Sequence, residues 1–367
     1  MNRIVLKYCA ALLLLLSGGS AAQAQTSYSV SGRIDDPEME GHKVYLTIYD
    51  TNQVIDTATV RDQEFLFEGN AEHPYFARLD LDNNKEYANF VLEDSVVIDF
   101  ASHLPQYGGK LSAKFLTYWN EYYAHIDEWK KTFKGLKESI PDITEREEKI
   151  KAAFDSLKSE LTSVCIRQIM NEPDNGVGEL AWRDYTLYVC TPKEARTICP
   201  RLSPFLQNLN FTKERMKLFT ALENTSAGKP FIDVEGVDMT GKPSRLSDYV
   251  GKGEYVLVDF WAQWCGPCRQ EIEEYLAPLW KKYRGTDLQI VSIAVWDKLE
   301  LTREFLAEKG YTWPQILDAG MKPMKQYGFD AIPHIMLLAP DGTILARNLR
   351  GDAIEQEIQK HLNKKGD

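Results

Sequence analysis

Val258-Asp259-Phe260-Trp261-Ala262-Gln263-Trp264-Cys265-Gly266-Pro267-Cys268 joins an apolar strand to a helix through two cysteines three residues apart. Residues i and i+3 share a helix face, so the two sulfurs can close a small ring, and the first cysteine stands where the helix dipole favours a thiolate. A thiolate is both a nucleophile and a metal ligand, which leaves three readings open at this point: a redox pair, half of a zinc site, or an inert structural disulfide. Zinc needs two further ligands, usually as a second close pair. The remaining cysteines, Cys165, Cys190 and Cys199, with Cys9 near the start, supply no such pair.

Outward from this stretch, strands and helices alternate. Tyr255 to Trp261 reads as a strand, followed by a helix to Tyr283; Leu288 to Val295 is followed by a helix to Lys309. His334 to Leu338, a turn at Asp341-Gly342, Ile344 to Asn348 and a helix from Asp352 complete an α/β layer pattern over residues 223–367. Asn224 to Gly228 reads as a linker. Before it, residues 104–222 are helical. Thr144 with Glu147 predicts a capping box, with Ile150, Phe154, Leu157, Leu161 and Val164 on one face and Pro173 beyond the end. Thr191, Pro192 and Glu194 predict a second helix start. If that helix forms, Cys190 and Cys199 have Cα atoms roughly 13 Å apart, beyond disulfide reach. Cys165 shares an apolar face with Leu161 and reads as a buried hydrophobe.

Residues 25–103 alternate with period two in Tyr28 to Ile34, Lys43 to Tyr49, Val54 to Val60, Glu64 to Glu68, Tyr75 to Leu81 and Glu93 to Phe100, broken by Gly, Pro, Asn and Asp. This predicts a small antiparallel β-sandwich-like domain. Residues 1–24 carry Arg3 and Lys7, an apolar run from Tyr8 to Leu16 and the small-residue pattern Ala22-Gln23-Ala24. That is the pattern of a secretory signal peptide cleaved after Ala24, and its apolar run falls well short of the roughly 20 residues a membrane span needs. The expected location is therefore the periplasm or cell envelope, with no integral membrane segment after cleavage. Net charge is −11 over the chain and −13 once Arg3 and Lys7 leave with residues 1–24. An acidic chain with scattered lysines and arginines repels phosphate backbones, which argues against nucleic acid as a partner.

The C-terminal part resembles the thioredoxin superfamily, specifically the TlpA-like and ResA-like thiol-disulfide oxidoreductases of bacterial envelopes. Besides the Cys265/Cys268 motif, the resemblance rests on the segment from Gly228 through Gly241, Leu246, Gly251 and Lys252, similar to the family's hairpin before the first core strand. It rests also on the insert between Val295 and Tyr327, with Phe305, Trp313, Pro314 and Asp318, and on Ile332-Pro333 before an apolar strand. The β and helical regions resemble N-terminal extensions of some such proteins.

The resemblance implies an enzyme, a protein thiol-disulfide oxidoreductase in which Cys265 attacks a client disulfide and Cys268 resolves the mixed disulfide. Asp259 and Glu271 are the two family positions for the carboxylate that takes the Cys268 proton. A cis Pro333 would face the cysteines, the Ile332 backbone would pair with an extended client, and Trp264, Gly266 and Pro267 would border the client. Gly266-Pro267 matches thioredoxin, which favours a reductant. No cofactor and no metal are implied. The implied partners are disulfide-bearing client proteins, among them apocytochromes of cytochrome c-type biogenesis, and a membrane electron donor. His334 stands where the family commonly has threonine. Glu273 replaces a frequent proline, so Pro278 predicts a helix kink near residue 274. The alternatives are a peroxiredoxin-like peroxidase, whose proline and Thr or Ser ahead of the cysteine are missing here, and a binding module with a thioredoxin scaffold.

Overall fold

Eight strands open the chain in a computed structural model that describes residues 26–82, 87–100 and 104–362. The expected signal peptide and Cys9 lie outside the described residues. The strands are β1 (Thr26–Arg33), β2 (Lys43–Ile48), β3 (Gln53–Thr59), β4 (Glu64–Ala71), β5 (Phe76–Leu81), β6 (Tyr87–Val91), β7 (Val96–Asp99) and β8 (Leu104–Tyr107). They form two four-stranded sheets, ordered β4-β1-β7-β8 and β3-β2-β5-β6. Period-two alternation sends Val30 and Phe67 from one sheet, and Leu46, Leu79 and Phe90 from the other, into one apolar core, the arrangement of a sandwich. One pair departs from the antiparallel expectation: β1 and β7 run parallel, Val30 beside Val96 through Arg33 beside Asp99.

Six helices follow: α1 (Lys110–Ser139), α2 (Ile143–Asn171), α3 (Gly176–Asp184), α4 (Pro192–Ile198), α5 (Pro204–Asn208) and α6 (Asn210–Asn224). The cap of α2 is Asp142, whose side chain accepts the Glu145 N–H at 2.8 Å, and not the expected box of Thr144 and Glu147. Of the predicted face of α2, Leu157, Leu161 and Val164 are buried and Phe154 is exposed. The Thr191/Glu194 box does form, with Pro192 in the first turn of α4. No disulfide joins Cys190 to Cys199 across that helix. Cys165 is buried, and burial pushes its thiol up to about 12.

The chain divides into two compact units, Met1–Lys213 and Glu214–Asp367. Residues 224–228 are not a loose linker. Thr225 is buried, its hydroxyl donates to the Tyr327 carbonyl at 2.9 Å, and Arg347 donates to the Thr225 carbonyl at 2.9 Å. Gly328 has φ +70°, and a Cβ there would collide with the Leu222 nitrogen and the Leu218 carbonyl of α6. Only glycine tolerates both the dihedral and the approach.

The second unit is a five-stranded sheet preceded by a hairpin, β9 (Glu235–Val237) with β10 (Pro243–Arg245). The sheet strands are β11 (Tyr255–Trp261), β12 (Leu288–Ala294), β13 (Gln315–Ile316), β14 (His334–Leu338) and β15 (Ile344–Leu349), in the order β13-β12-β11-β14-β15. The central strand β11 is parallel to β12 and antiparallel to β14. Being central, it has both faces covered and reads as a continuous apolar run. Leu257 and Trp261 point into one core, Val256, Val258 and Phe260 into the other. The helices are α7 (Gly266–Glu271), α8 (Ala277–Tyr283), α9 (Leu299–Lys309), α10 (Lys322–Tyr327) and α11 (Asp352–Leu362). Between α7 and α8 lies a π turn, Ile272–Leu276, which ends two residues before Pro278, whose missing N–H and ring disfavour regular α geometry there. The π turn falls where the kink near residue 274 is expected.

Candidate active site

Strand β11 ends at Trp261, and Ala262–Trp264 turn the chain so that Cys265 becomes the cap of α7: its N–H reaches the Ala262 carbonyl at 3.1 Å, and its sulfur accepts the Cys268 N–H at 3.2 Å. Pro267 sits in the first helical turn, where its missing N–H costs nothing. Cys265 and Cys268 are joined in a disulfide. Cys268 is fully buried and Cys265 is 5% exposed, so the little surface the pair offers belongs to Cys265. The Ile332–Pro333 peptide is cis, and the Cys265 sulfur lies 3.8 Å from the Ile332 carbonyl oxygen. The Ile332 carbonyl of the loop before β14 therefore stands against Cys265.

Asp259 projects from β11 on the same face as Leu257 and Trp261, the face whose core also holds Cys268. It is 1% exposed. Its partner across the ladder is Ser292 of β12, whose hydroxyl donates to the carboxylate at 3.2 Å and itself accepts the Trp313 indole N–H at 2.9 Å. Burial pushes the Asp259 carboxyl up to about 7; the Ser292 hydrogen bond and the charge of Arg350 offset part of that rise, and the charge of Glu271 adds to it. A carboxyl in that range can take and return a proton near neutrality.

Glu271, the last residue of α7, accepts the Gly351 N–H at 2.5 Å. With Pro267, Tyr275, Pro333, Arg350 and Gly351 it lines a cavity of about 350 Å³ beside the disulfide. Arg350 donates to the Pro333 carbonyl and, at 2.7 Å, to the Leu349 carbonyl. This arginine is half-buried, and its charge acts on both Asp259 and Glu271. Sequence reasoning missed Arg350 and Ser292. Their only sequence signals were an arginine just before Gly351 at the end of the last strand, and a polar residue interrupting the apolar run of β12.

Trp264 is 48% exposed and Trp261 fully buried, so the former borders the site and the latter belongs to the core. His334 is buried and stacked on Phe329 at 4.3 Å; burial and the charges of Arg347 and Arg350 hold its imidazole down at about 3. It stays neutral over physiological pH and tunes nothing by titration. Cys165, Cys190 and Cys199 all belong to the first compact unit.

Two families match the chain: the AhpC/TSA family over residues 227–347, and a Domain of unknown function (DUF4369) over residues 28–103. The thiol-disulfide oxidoreductase ResA of Bacillus thuringiensis is 27% identical over 146 residues, which are 40% of this chain and 82% of that protein. ResA of Bacillus subtilis is 28% identical over 146 residues, 79% of its length. Among solved structures, the thioredoxin domain of a thiol-disulfide oxidoreductase from Bacteroides vulgatus is 30% identical, with 37% of this chain and 96% of that chain covered and a TM-score of 0.34. A thiol:disulfide interchange protein from Bacteroides sp. is 30% identical, with 38% of this chain and 92% of that one covered and a TM-score of 0.34. The sulfur pair at a strand-to-helix turn, the cis proline loop and the AhpC/TSA match agree on a thioredoxin-like domain over residues 227–347, which is similar to the TlpA/ResA-like thiol-disulfide oxidoreductases.

Proposed function

We propose that this chain is an exported reductase of client protein disulfides that works through the Cys265/Cys268 dithiol. The observation that carries the reading is the asymmetry of the pair, in which Cys265 keeps the little exposure there is beside Ile332-Pro333 and Cys268 has none, with the buried Asp259 on the same face of the sheet as their shared core. In the reduced protein the Cys265 thiolate attacks one sulfur of a client disulfide. A Cys265–client bond forms and the client's other sulfur leaves as a thiolate. Cys268 then gives its proton to Asp259 and attacks the Cys265 sulfur, releasing the second client thiolate and leaving the Cys265–Cys268 disulfide. Two electrons pass to the client, and its two thiolates take up two protons.

The mixed disulfide would be held as an added strand on the Ile332 backbone, bordered by Trp264, Gly266, Pro267 and Pro333. Glu271 lines the adjacent cavity and is the second candidate for the proton. In this reading residues 1–24 are a signal peptide and the protein works in the periplasm or cell envelope, outside the cytosolic thiol pool, so restoring the dithiol calls for a membrane electron donor. The family resemblance of the sequence adds apocytochromes that must present reduced cysteines as a client class within this proposal. Residues 25–103 and 104–222 are the β and helical extension of the 223–367 catalytic domain in this scheme.

Equilibration of the purified protein with glutathione or dithiothreitol, with Cys268→Ser as control, tests the direction of transfer. A potential near about −270 mV is expected for a reductase, whereas one near about −120 mV would make the protein a disulfide-forming oxidant.

A further inference from the structure

Against Trp264, the residue before Cys265, stands a second tryptophan for which the redox chemistry has no use. Trp296 follows β12, is 48% exposed, and meets the Trp264 ring edge to face with centroids 5.1 Å apart. The Trp264 indole N–H donates to the Trp296 carbonyl at 2.9 Å, which spends the polar edge of that ring and leaves apolar faces to solvent. The Trp296 backbone has φ +53°, a left-handed conformation unfavourable for a large side chain. Two ties hold it: its own N–H reaches the Gly320 carbonyl at 3.2 Å, and Asp297 accepts the Gln263 N–H at 2.6 Å. The loop after β12 is thereby fixed to the loop that carries Cys265, and a fixed aromatic pair binds with little loss of side-chain freedom.

We propose that Trp296 is a specificity-determining residue that, with Trp264, receives an apolar side chain next to the cysteine under attack in the client. The occupant follows from position. Trp264 immediately precedes Cys265, so a residue beside the client cysteine bound to Cys265 comes within reach of this pair. The exposed surface is aromatic carbon and selects an aliphatic or aromatic side chain over a polar one. The inference rests on the reading of the site as a reductase of polypeptide disulfides.

The test uses the full reduced protein and two synthetic peptides, each with one internal disulfide, differing only in phenylalanine or serine beside the attacked cysteine. The unchanged protein should reduce the phenylalanine peptide about tenfold faster in kcat/KM, a ratio typical of one buried apolar side chain. Trp296→Gly should bring the ratio to within about twofold of unity, and Trp296→Phe should restore most of it. Glycine suits the left-handed backbone and keeps both backbone hydrogen bonds, so this variant removes the ring without unsettling the loop. Equal rates on the two peptides with the unchanged protein, or a ratio that survives Trp296→Gly, would overturn the proposal while leaving the reductase reading intact. Reduction of neither peptide, by a protein whose disulfide still exchanges with dithiothreitol, would sink both.

Discussion

Replacing Asp259 by asparagine should make the protein more stable and less active, and the stability gain should depend on pH in a defined way. The carboxyl is ordinarily half-protonated at 3.8, and in the fold at about 7. A raised acid means that the folded state binds the proton more tightly than the unfolded chain. The resulting cost to stability is absent well below pH 4, grows as pH rises toward 7 and is then constant. At about 1.36 kcal/mol per tenfold difference, the cost is roughly 4 kcal/mol at pH 8, roughly 2 kcal/mol at pH 5 and close to nothing near pH 3. Asparagine carries no charge to desolvate, and its carbonyl can still accept the Ser292 hydroxyl, so Asp259→Asn should recover most of that amount. Urea unfolding of the oxidised protein and the variant at pH 8 and pH 5 measures it. A gain that is the same at both pH values, or a loss that deepens as pH rises, would refute the reasoning, because either outcome means that the carboxyl is not held protonated by burial. Turnover should fall by about 10²-fold, the usual contribution of a positioned proton acceptor.

Arg350 offsets the rise at Asp259. Arg350→Met should therefore move the pH midpoint of the resolving step upward by about one unit, the effect of losing a nearby opposite charge, measured as the pH profile of single-turnover client reduction. An unmoved midpoint would mean that the arginine serves only the Pro333 and Leu349 carbonyls. Gly328→Ala should cost about 2–4 kcal/mol in denaturant unfolding, since a methyl group at φ +70° would meet the α6 backbone, which cannot yield as a side chain could.

Much of the second unit was legible because its pattern is local. The strand Tyr255–Trp261, the strand His334–Leu338 and the helix start at Asp352 stand where apolar runs and turn residues put them. The cysteine pair is a contiguous motif. What escaped reading depends on contacts between distant residues. Strand β6 follows Asp82 and a polar run with only a short apolar stretch, and its place is set by pairing with β5. The parallel pairing of β1 with β7 joins segments more than sixty residues apart, and no spacing announces it. At α2 two capping residues competed. Thr144 had the reciprocal glutamate, but Asp142 takes the extended conformation one residue before the helix and satisfies the Glu145 N–H first. Thr225 reads as a linker residue because small polar side chains usually are; here its hydroxyl has a long-range acceptor on Tyr327. At the site, Asp259 was visible as an acid within an apolar strand. Arg350 and Trp296 lie roughly 85 and 31 positions from Cys265, and only the sheet brings their loops to the sulfur.

The most direct test of the account is covalent trapping with Cys268→Ser. The reduced variant, mixed with a disulfide-bearing protein such as insulin and examined by intact mass and peptide mapping, should form a one-to-one adduct through Cys265 that dithiothreitol releases. An adduct through Cys165, Cys190 or Cys199, or the same yield from Cys265→Ser, would contradict the assignment of Cys265 as the attacking sulfur.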